Sequence, residues 1–452
     1  MRIFLLLMLA LKFTLCAGVM PIDFKVYDMP SEDSQGPNVL IMSGIQGDEP
    51  GAYNATNLFL QYYTIKKGSV RVIPSLSPHS MFYNSRGVYG DLNRKFADLD
   101  SNDPEFEVIQ KIKEHILDSK VQAIFHMHDG SGFYRPKYIN ETFGPKRWGN
   151  CSIIDQDSID VNPFGDLKNI IEVVINNTNS GLLKPFHKYH LRNTETAKKD
   201  TQMQKSLTFF AITHNKPAFA HEASKTLPLR EKTYYHLLGI EGFLKAVGIE
   251  FERHFELTPQ VVAKLINDPS ITLTIDEILT LPLFSIKSPL NFFPMPLSAK
   301  QDLQSVNIES KSKILGLSQA PQSALIDVKY GNRTMVRLNP LYLEFDKSLQ
   351  NVEFDIDDVR QEVKIGSLVK AKTSFLIHTP RDETKSVDSD VRANVIGFVK
   401  KGDTSPTPNE FDTLVHKKAL FKKFAIDTNA RIYRVEFYKN DAFAGMVLVE
   451  FE

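Results

Sequence analysis

A chain of 452 residues exceeds what one hydrophobic core usually organises, so two or three domains are expected. Its 54 basic and 54 acidic residues cancel, and 42 % of the chain is hydrophobic. These values exclude a disordered chain and any bulk field drawing it to nucleic acid or an anionic membrane, so partners must be recognised locally.

Residues 1–18 read MRIFLLLMLALKFTLCAG: Arg2, an apolar run over 3–11, then the small residues Ala17 and Gly18. This is the pattern of a secretory signal peptide, with cleavage expected near Ala17 or Gly18. Leu15 stands before Cys16 where a lipobox requires a small side chain, which argues against lipid attachment. After cleavage one thiol remains, Cys151, so no internal disulfide forms. No other stretch is apolar and long enough to span a bilayer.

From 37 to about 250, strand-like runs at 39–43, 70–73, 121–125 and 218–220 alternate with amphipathic helical patterns. One helix is predicted over 104–117, with Asp103 as N-cap, and another over 230–247, stopped by Gly248. This alternation predicts an α/β domain with a mixed sheet flanked by helices, bounded at 19–251. Prolines 282, 289, 294 and 296 then punctuate a stretch of irregular connection or edge strand. From 324 onward short strand-like runs recur between turns, as in ALIDVKY, VEFDID, RIYRVEFY and MVLVEFE. These predict β-rich sandwich or barrel modules, bounded at 252–338 and 339–452.

Four motifs carry chemistry. SGIQGDEPGA (43–52) follows a strand and precedes a helix beginning at Pro50; Gly44 and Gly47 permit a tight turn from which Gln46 and Glu49 aim oxygens at one ion. A plain strand-turn-helix corner uses the same residues. IFHMHDG (124–130) places His126 and His128 on one face of a strand, and either supplies a nitrogen ligand. RGVYGDLNRKF (86–96) offers Arg86, Asn93 and Arg94 in a glycine-spaced loop suited to gripping a carboxylate. In PAFAHEAS (217–224), Glu222 at a strand end is the candidate general base; its bland alternative is a solvated edge glutamate.

Taken in chain order, Gln46-x-x-Glu49, Arg86, Asn93-Arg94, His128 and Glu222 resemble the zinc carboxypeptidases of the carboxypeptidase A type, over about residues 39–248. With an export signal and a β-rich tail, the set is most similar to the cell-shape-determining peptidoglycan carboxypeptidases of helical epsilonproteobacteria. The resemblance implies one zinc ion per chain on Gln46, Glu49 and His128, with Glu222 as base and Arg86 stabilising the oxyanion. It implies that Asn93 and Arg94 hold the substrate's terminal carboxylate. His126 is placed to line the site, and Trp148, in a loop-like stretch, either walls it or anchors the core. The resemblance further implies a periplasmic DL-carboxypeptidase that removes meso-diaminopimelate from the peptidoglycan tripeptide. The sequence departs from the wider family at Gln46, where histidine is usual. An amide oxygen is the weaker donor, so weaker metal binding is expected. Two other readings use the same scaffold: a muropeptide-binding pseudoenzyme, which Gln46 favours and Glu222 opposes, and a deacylase or amidase. Protein partners are not legible.

Overall fold

The computed structural model describes residues 23–199, 201–380, 390–402, 405 and 407–452. The signal-peptide segment, residues 1–18, lies outside the described residues.

The first unit is built as β1 (Tyr27–Pro30), β2 (Asp33–Met42), α1 (Pro50–Tyr62), β3 (Tyr63–Ile73), α2 (Pro78–Phe82), α3 (Phe106–Leu117) and β4 (Ala123–Gly130). There follow the short pair β5 (Phe133–Tyr134) and β6 (Phe143–Gly144), then β7 (Cys151–Ile154), α4 (Leu167–Ser180), β8 (His190–Asn193) and α5 (Thr196–Lys199). It closes with α6 (Leu207–Thr213), β9 (Ala218–Ser224), α7 (Leu229–Val247), β10 (Glu250–Arg253) and α8 (Pro259–Ile266). The sheet order is β1-β3-β2-β4-β9-β7-β8, with β10 also on β3. Its centre, β3-β2-β4-β9, is parallel, while β1, β10 and the β7–β9 pair run antiparallel. The sheet is mixed and flanked by helices, as the alternation of patterns implies.

Strand alternation sorts the buried side chains of β4 between two layers. Phe125 stacks on Phe243 of α7, and Asp129 bonds His236 of the same helix. His126 points the other way and bonds Thr208 of α6. Helix α7 ends at Gly248 in the left-handed region (φ 79°), as its glycine predicts. Helix α3 starts at Phe106, two residues later than the pattern places it. Asp103 is not its cap: its carboxylate accepts the Glu105 N–H and pairs with Lys95, closing a turn ahead of the helix.

Beyond α8 the chain is all β. A three-stranded sheet (Leu279–Pro282, Thr272–Ile275, Ile308–Glu309) adjoins a four-stranded one (Leu290–Pro296, Arg333–Leu343, Ile326–Tyr330, Leu315–Ser318). The proline-rich Leu290–Pro296 is an edge strand, where missing N–H donors are tolerated. Two further four-stranded sheets face each other, with Phe354 against Phe437 and Phe375 against Phe451 in the shared core. The middle module braces the first unit: Asn57 of α1 donates to Tyr330 and accepts the Lys313 N–H, and Phe82 of α2 packs on Gly316.

Candidate active site

Strands β2, β4 and β9 are parallel neighbours, so their carboxyl ends open on one edge, where α/β sheets place ligands. The turn after β2 carries Gln46 and Glu49, β4 ends through His128, and β9 ends through Glu222. His128 and Glu222 stand opposite each other in the ladder. The turn is tight because Gly44 adopts φ 63° and Gly47 lies against α2, where a Cβ would meet the Ser80 carbonyl carbon at 1.9 Å.

His128 Nδ1 lies 2.9 Å from Gln46 Oε1 and 3.0 Å from Glu49 Oε2. Two ligands of a tetrahedral ion held at about 2.1 Å stand roughly 3.4 Å apart, so these donors admit one cation by parting about half an ångström. A neutral amide, a carboxylate and an imidazole form a chemically suitable set. Among the described residues no three of His, Cys, Asp and Glu cluster so, and it is the glutamine that completes this group.

A second layer fixes the donors. Gln46 Nε2 donates to Asp91 Oδ1 (2.8 Å), which turns the amide oxygen towards His128. Asp91 also caps the short turn Leu92–Arg94 and pairs with Arg86 (2.9 Å). His128 Nε2 lies 2.8 Å from His126 Nδ1, and His126 Nε2 lies 2.7 Å from Thr208 Oγ1. With a cation at Nδ1, the His128 proton resides on Nε2 and is donated to His126, whose own Nε2 proton goes to Thr208. Burial lowers the pKa of both rings, keeping them neutral. His126 therefore does not line the site: both nitrogens are engaged beneath His128. The expected substrate contact is replaced by a support role, because the inner of two same-face strand residues is covered by α6.

Glu222 is 9 % exposed, and its Oε2 has no partner among the described residues. Burial pushes its pKa up to about 8; Glu49 and Asp129 add to this, while His128 and Arg192 oppose it. Gly130 makes room for it, since a Cβ there would fall 2.6 Å from Glu222 Oε2 and 2.6 Å from Trp148 Cβ. Trp148 thus sits beside the base, half-buried, with the Arg192 guanidinium 3.4 Å over its ring. Cys151, opposite Glu222 on β7, is a buried free thiol.

The loop arginines stand at the mouth. Arg86, half-exposed, lies 3.7 Å from Glu49 Oε1, and Lys225 lies at the same distance from that oxygen. Asn93 Oδ1 accepts the Leu207 N–H at the start of α6, which leaves its amide N–H groups for a ligand. Arg94 Nη1 donates to the Asn93 carbonyl. Asp91, Arg192, Thr208 and Lys225 are not anticipated by the motifs. Asp91 lies inside the GDLNRKF segment, Lys225 follows PAFAHEAS, and the other two have no local signal.

A buried carboxylate beside three converging donors at the edge of a mixed α/β sheet, with arginines at its mouth, is an arrangement that fits a metallo-carboxypeptidase. The family model described as "Carboxypeptidase controlling helical cell shape catalytic" matches residues 1–267, and the chain belongs to this family. The "beta-barrel domain of carboxypeptidase M99" matches 268–344, and the "C-terminal domain of metallo-carboxypeptidase" matches 345–452. Among solved structures, the apo cell shape determinant protein Csd4 of Helicobacter pylori is 46 % identical, over 95 % of this chain and 100 % of that one, with a TM-score of 0.88. A tripeptide-bound form of that protein matches with the same identity and coverages and a TM-score of 0.87. A form bound to mDAP, there described as a D,L-carboxypeptidase, matches at 46 % over 94 % and 100 % with a TM-score of 0.88. No curated protein matches the chain.

Proposed function

We propose that the chain is a zinc-dependent D,L-carboxypeptidase that trims the peptidoglycan stem tripeptide to a dipeptide, releasing meso-diaminopimelate and so contributing to cell shape. The observation that carries this reading is the convergence of Gln46, Glu49 and His128 beside the unpartnered Oε2 of Glu222. Tripeptide-bound and mDAP-bound forms of a 46 % identical relative support the substrate. Export to the periplasm follows from the 1–18 signal pattern; among the described residues no helix is long and apolar enough to cross a membrane.

When bound, zinc supplies a Lewis acid that polarises the scissile carbonyl and makes water more acidic. Glu222 Oε2 takes a proton from the attacking water, whose oxygen bonds to the carbonyl carbon. Arg86 presents N–H donors to the oxygen that becomes negative, from the mouth of the site. Asn93, through its free amide N–H groups, and Arg94 hold the terminal carboxylate, which fixes cleavage one residue from the chain end. Glu222 then passes its proton to the leaving nitrogen as the C–N bond breaks, and Trp148 shields the carboxylate from bulk water.

The test incubates the mature protein with zinc and a purified tripeptide muropeptide and reads products by mass spectrometry. Free diaminopimelate is expected, and it should vanish with Glu222→Ala or a chelator. Substrate that binds and stays intact would instead establish the pseudoenzyme.

A further inference from the structure

The C-terminal module carries a surface that catalysis does not use. Residues 414–425 read LVHKKALFKKFA, four lysines without an acid, in a chain whose charges cancel overall. Two short turns, Lys417–Ala419 and Lys422–Phe424, display this segment. Phe421 is 53 % and Phe424 43 % exposed, with Lys418, Lys422 and Lys423 exposed between and beside them.

The display is rigidly built. The Phe421 N–H donates to the Gly397 carbonyl, and a Cβ on Gly397 would fall 2.8 Å from Phe424 Cβ, so the turn lies flat on the 396–399 segment. That segment runs on into Val399, 65 % exposed, and the exposed Lys400 and Lys401. Lys287 Nζ donates to the Ala425 carbonyl at 2.6 Å and the Lys422 carbonyl at 3.2 Å, pinning the turn from below.

A third phenylalanine joins from another sheet. Phe292 is 70 % exposed and holds φ 51°, a conformation that side chains with a Cβ rarely adopt. It sits where the register of the edge strand Leu290–Pro296 shifts, and such bulges re-aim side chains. Its carbonyl accepts from the Arg434 side chain, and the Arg434 carbonyl accepts the Ile396 N–H, which ties its backbone through one residue to the 396–399 segment.

Exposed phenyl rings gain nothing from water, and here the backbone holds one out against its own preference. Phenylalanine has no polar edge for a glycan hydroxyl, and lysine is a point charge rather than a bidentate fork. Apolar rings set among lysines match the boundary of an anionic bilayer, where rings enter the acyl region and ammonium groups meet phosphates. We infer that this patch docks the enzyme peripherally on an anionic phospholipid surface.

The test uses the full mature, metal-loaded protein in flotation with phosphatidylcholine vesicles, with and without phosphatidylglycerol, at low and raised salt. Binding is expected only with phosphatidylglycerol and should weaken with salt. Each lysine near such a surface contributes a several-fold factor, so Lys422→Glu with Lys423→Glu should weaken binding on the order of tenfold or more. Phe421→Ser with Phe424→Ser should weaken it comparably. Lys422→Gln with Lys423→Gln, which is gentler on folding, should fall between. Hydrolysis of soluble tripeptide should be unchanged in all three, which separates this inference from the catalytic one. Absence of vesicle binding, equal binding to neutral vesicles, or unaffected variants would overturn it. So would retention on purified peptidoglycan in place of vesicles, which would assign the patch to the wall polymer.

Discussion

Asp129 offers the sharpest test of how the site is held together. It follows His128 on β4 but faces the opposite layer, with a side chain 0 % exposed. Its carboxylate accepts the Gly51 N–H at 2.8 Å, His236 Nε2 at 2.9 Å and Lys232 Nζ at 3.0 Å. It therefore ties the first turn of α1, two residues beyond Glu49, to the strand that carries His128. Burial pushes its pKa up, but the His236 bond, the Lys232 charge and the Gly51 N–H together hold it at about 2 instead of 3.8. That depression corresponds to roughly 2–3 kcal/mol of stability. Asp129→Ala also strands the buried Lys232, so a loss of about 3–5 kcal/mol is expected, and somewhat less for Asp129→Asn. The sign follows from the lowered pKa: the contribution is complete above about pH 5 and is lost as pH falls through about 2, below which wild type and Asn variant should converge. Urea unfolding followed by Trp148 fluorescence checks this, because the sole tryptophan lies in the catalytic unit and reports its transition. A loss below about 1 kcal/mol for Asp129→Ala at pH 7 would refute the claim that this carboxylate carries the join.

The remaining expectations concern the site and its supports. Asp91→Ala should free the Gln46 amide to rotate and weaken metal affinity by about 10–100-fold in a chelator competition, with little change in fold. Gly130→Ala should leave metal binding intact but cut kcat by at least about tenfold, as the new methyl collides with Glu222 and Trp148. Because a base with a raised pKa is lost as pH falls through it, kcat/KM should decline on the acid side with a midpoint above that of an ordinary glutamate. Arg192→Gln should move that limb to higher pH, since the guanidinium favours ionised Glu222. Arg86→Ala should lower metal affinity as well as kcat, measured by competition and turnover, because it releases Asp91; a purely catalytic arginine would lower kcat alone.

The order of strands and helices is legible because hydrophobic period and glycine stops are local signals. The ends of β4 and β9 are less so. Apolar runs end near 125 and 220, yet the ladder continues to Gly130 and Ser224, because the polar residues there are buried and paired within the sheet. The convergence of the proposed ligands is legible in chain order, since each member occupies a strand end or the turn beyond it. His126 is misread because alternation gives its face but not its depth: α6, more than 80 residues later, covers it. Arg192 and Thr208 reach the site only through sheet order and helix packing, which no motif spacing encodes. Asp91 is the instructive omission, lying within a motif read solely for its arginines and asparagine.

That aspartate gives a reason why glutamine, as the proposed ligand, can serve at a position where histidine is usual. An imidazole presents a lone pair in a direction set by its ring, whereas an amide presents either oxygen or NH2 depending on a rotation of low cost. A glutamine ligand thus requires a fixed acceptor for its NH2 group, and Asp91 Oδ1 provides one at 2.8 Å. The same carboxylate holds Arg86 through its other oxygen and caps the turn bearing Asn93 and Arg94. The residue that makes the amide usable as a donor also positions the groups proposed to grip the oxyanion and the terminal carboxylate. On the proposed ligand set, metal affinity and substrate alignment are in this way coupled through one side chain, a coupling that a histidine at position 46 does not need.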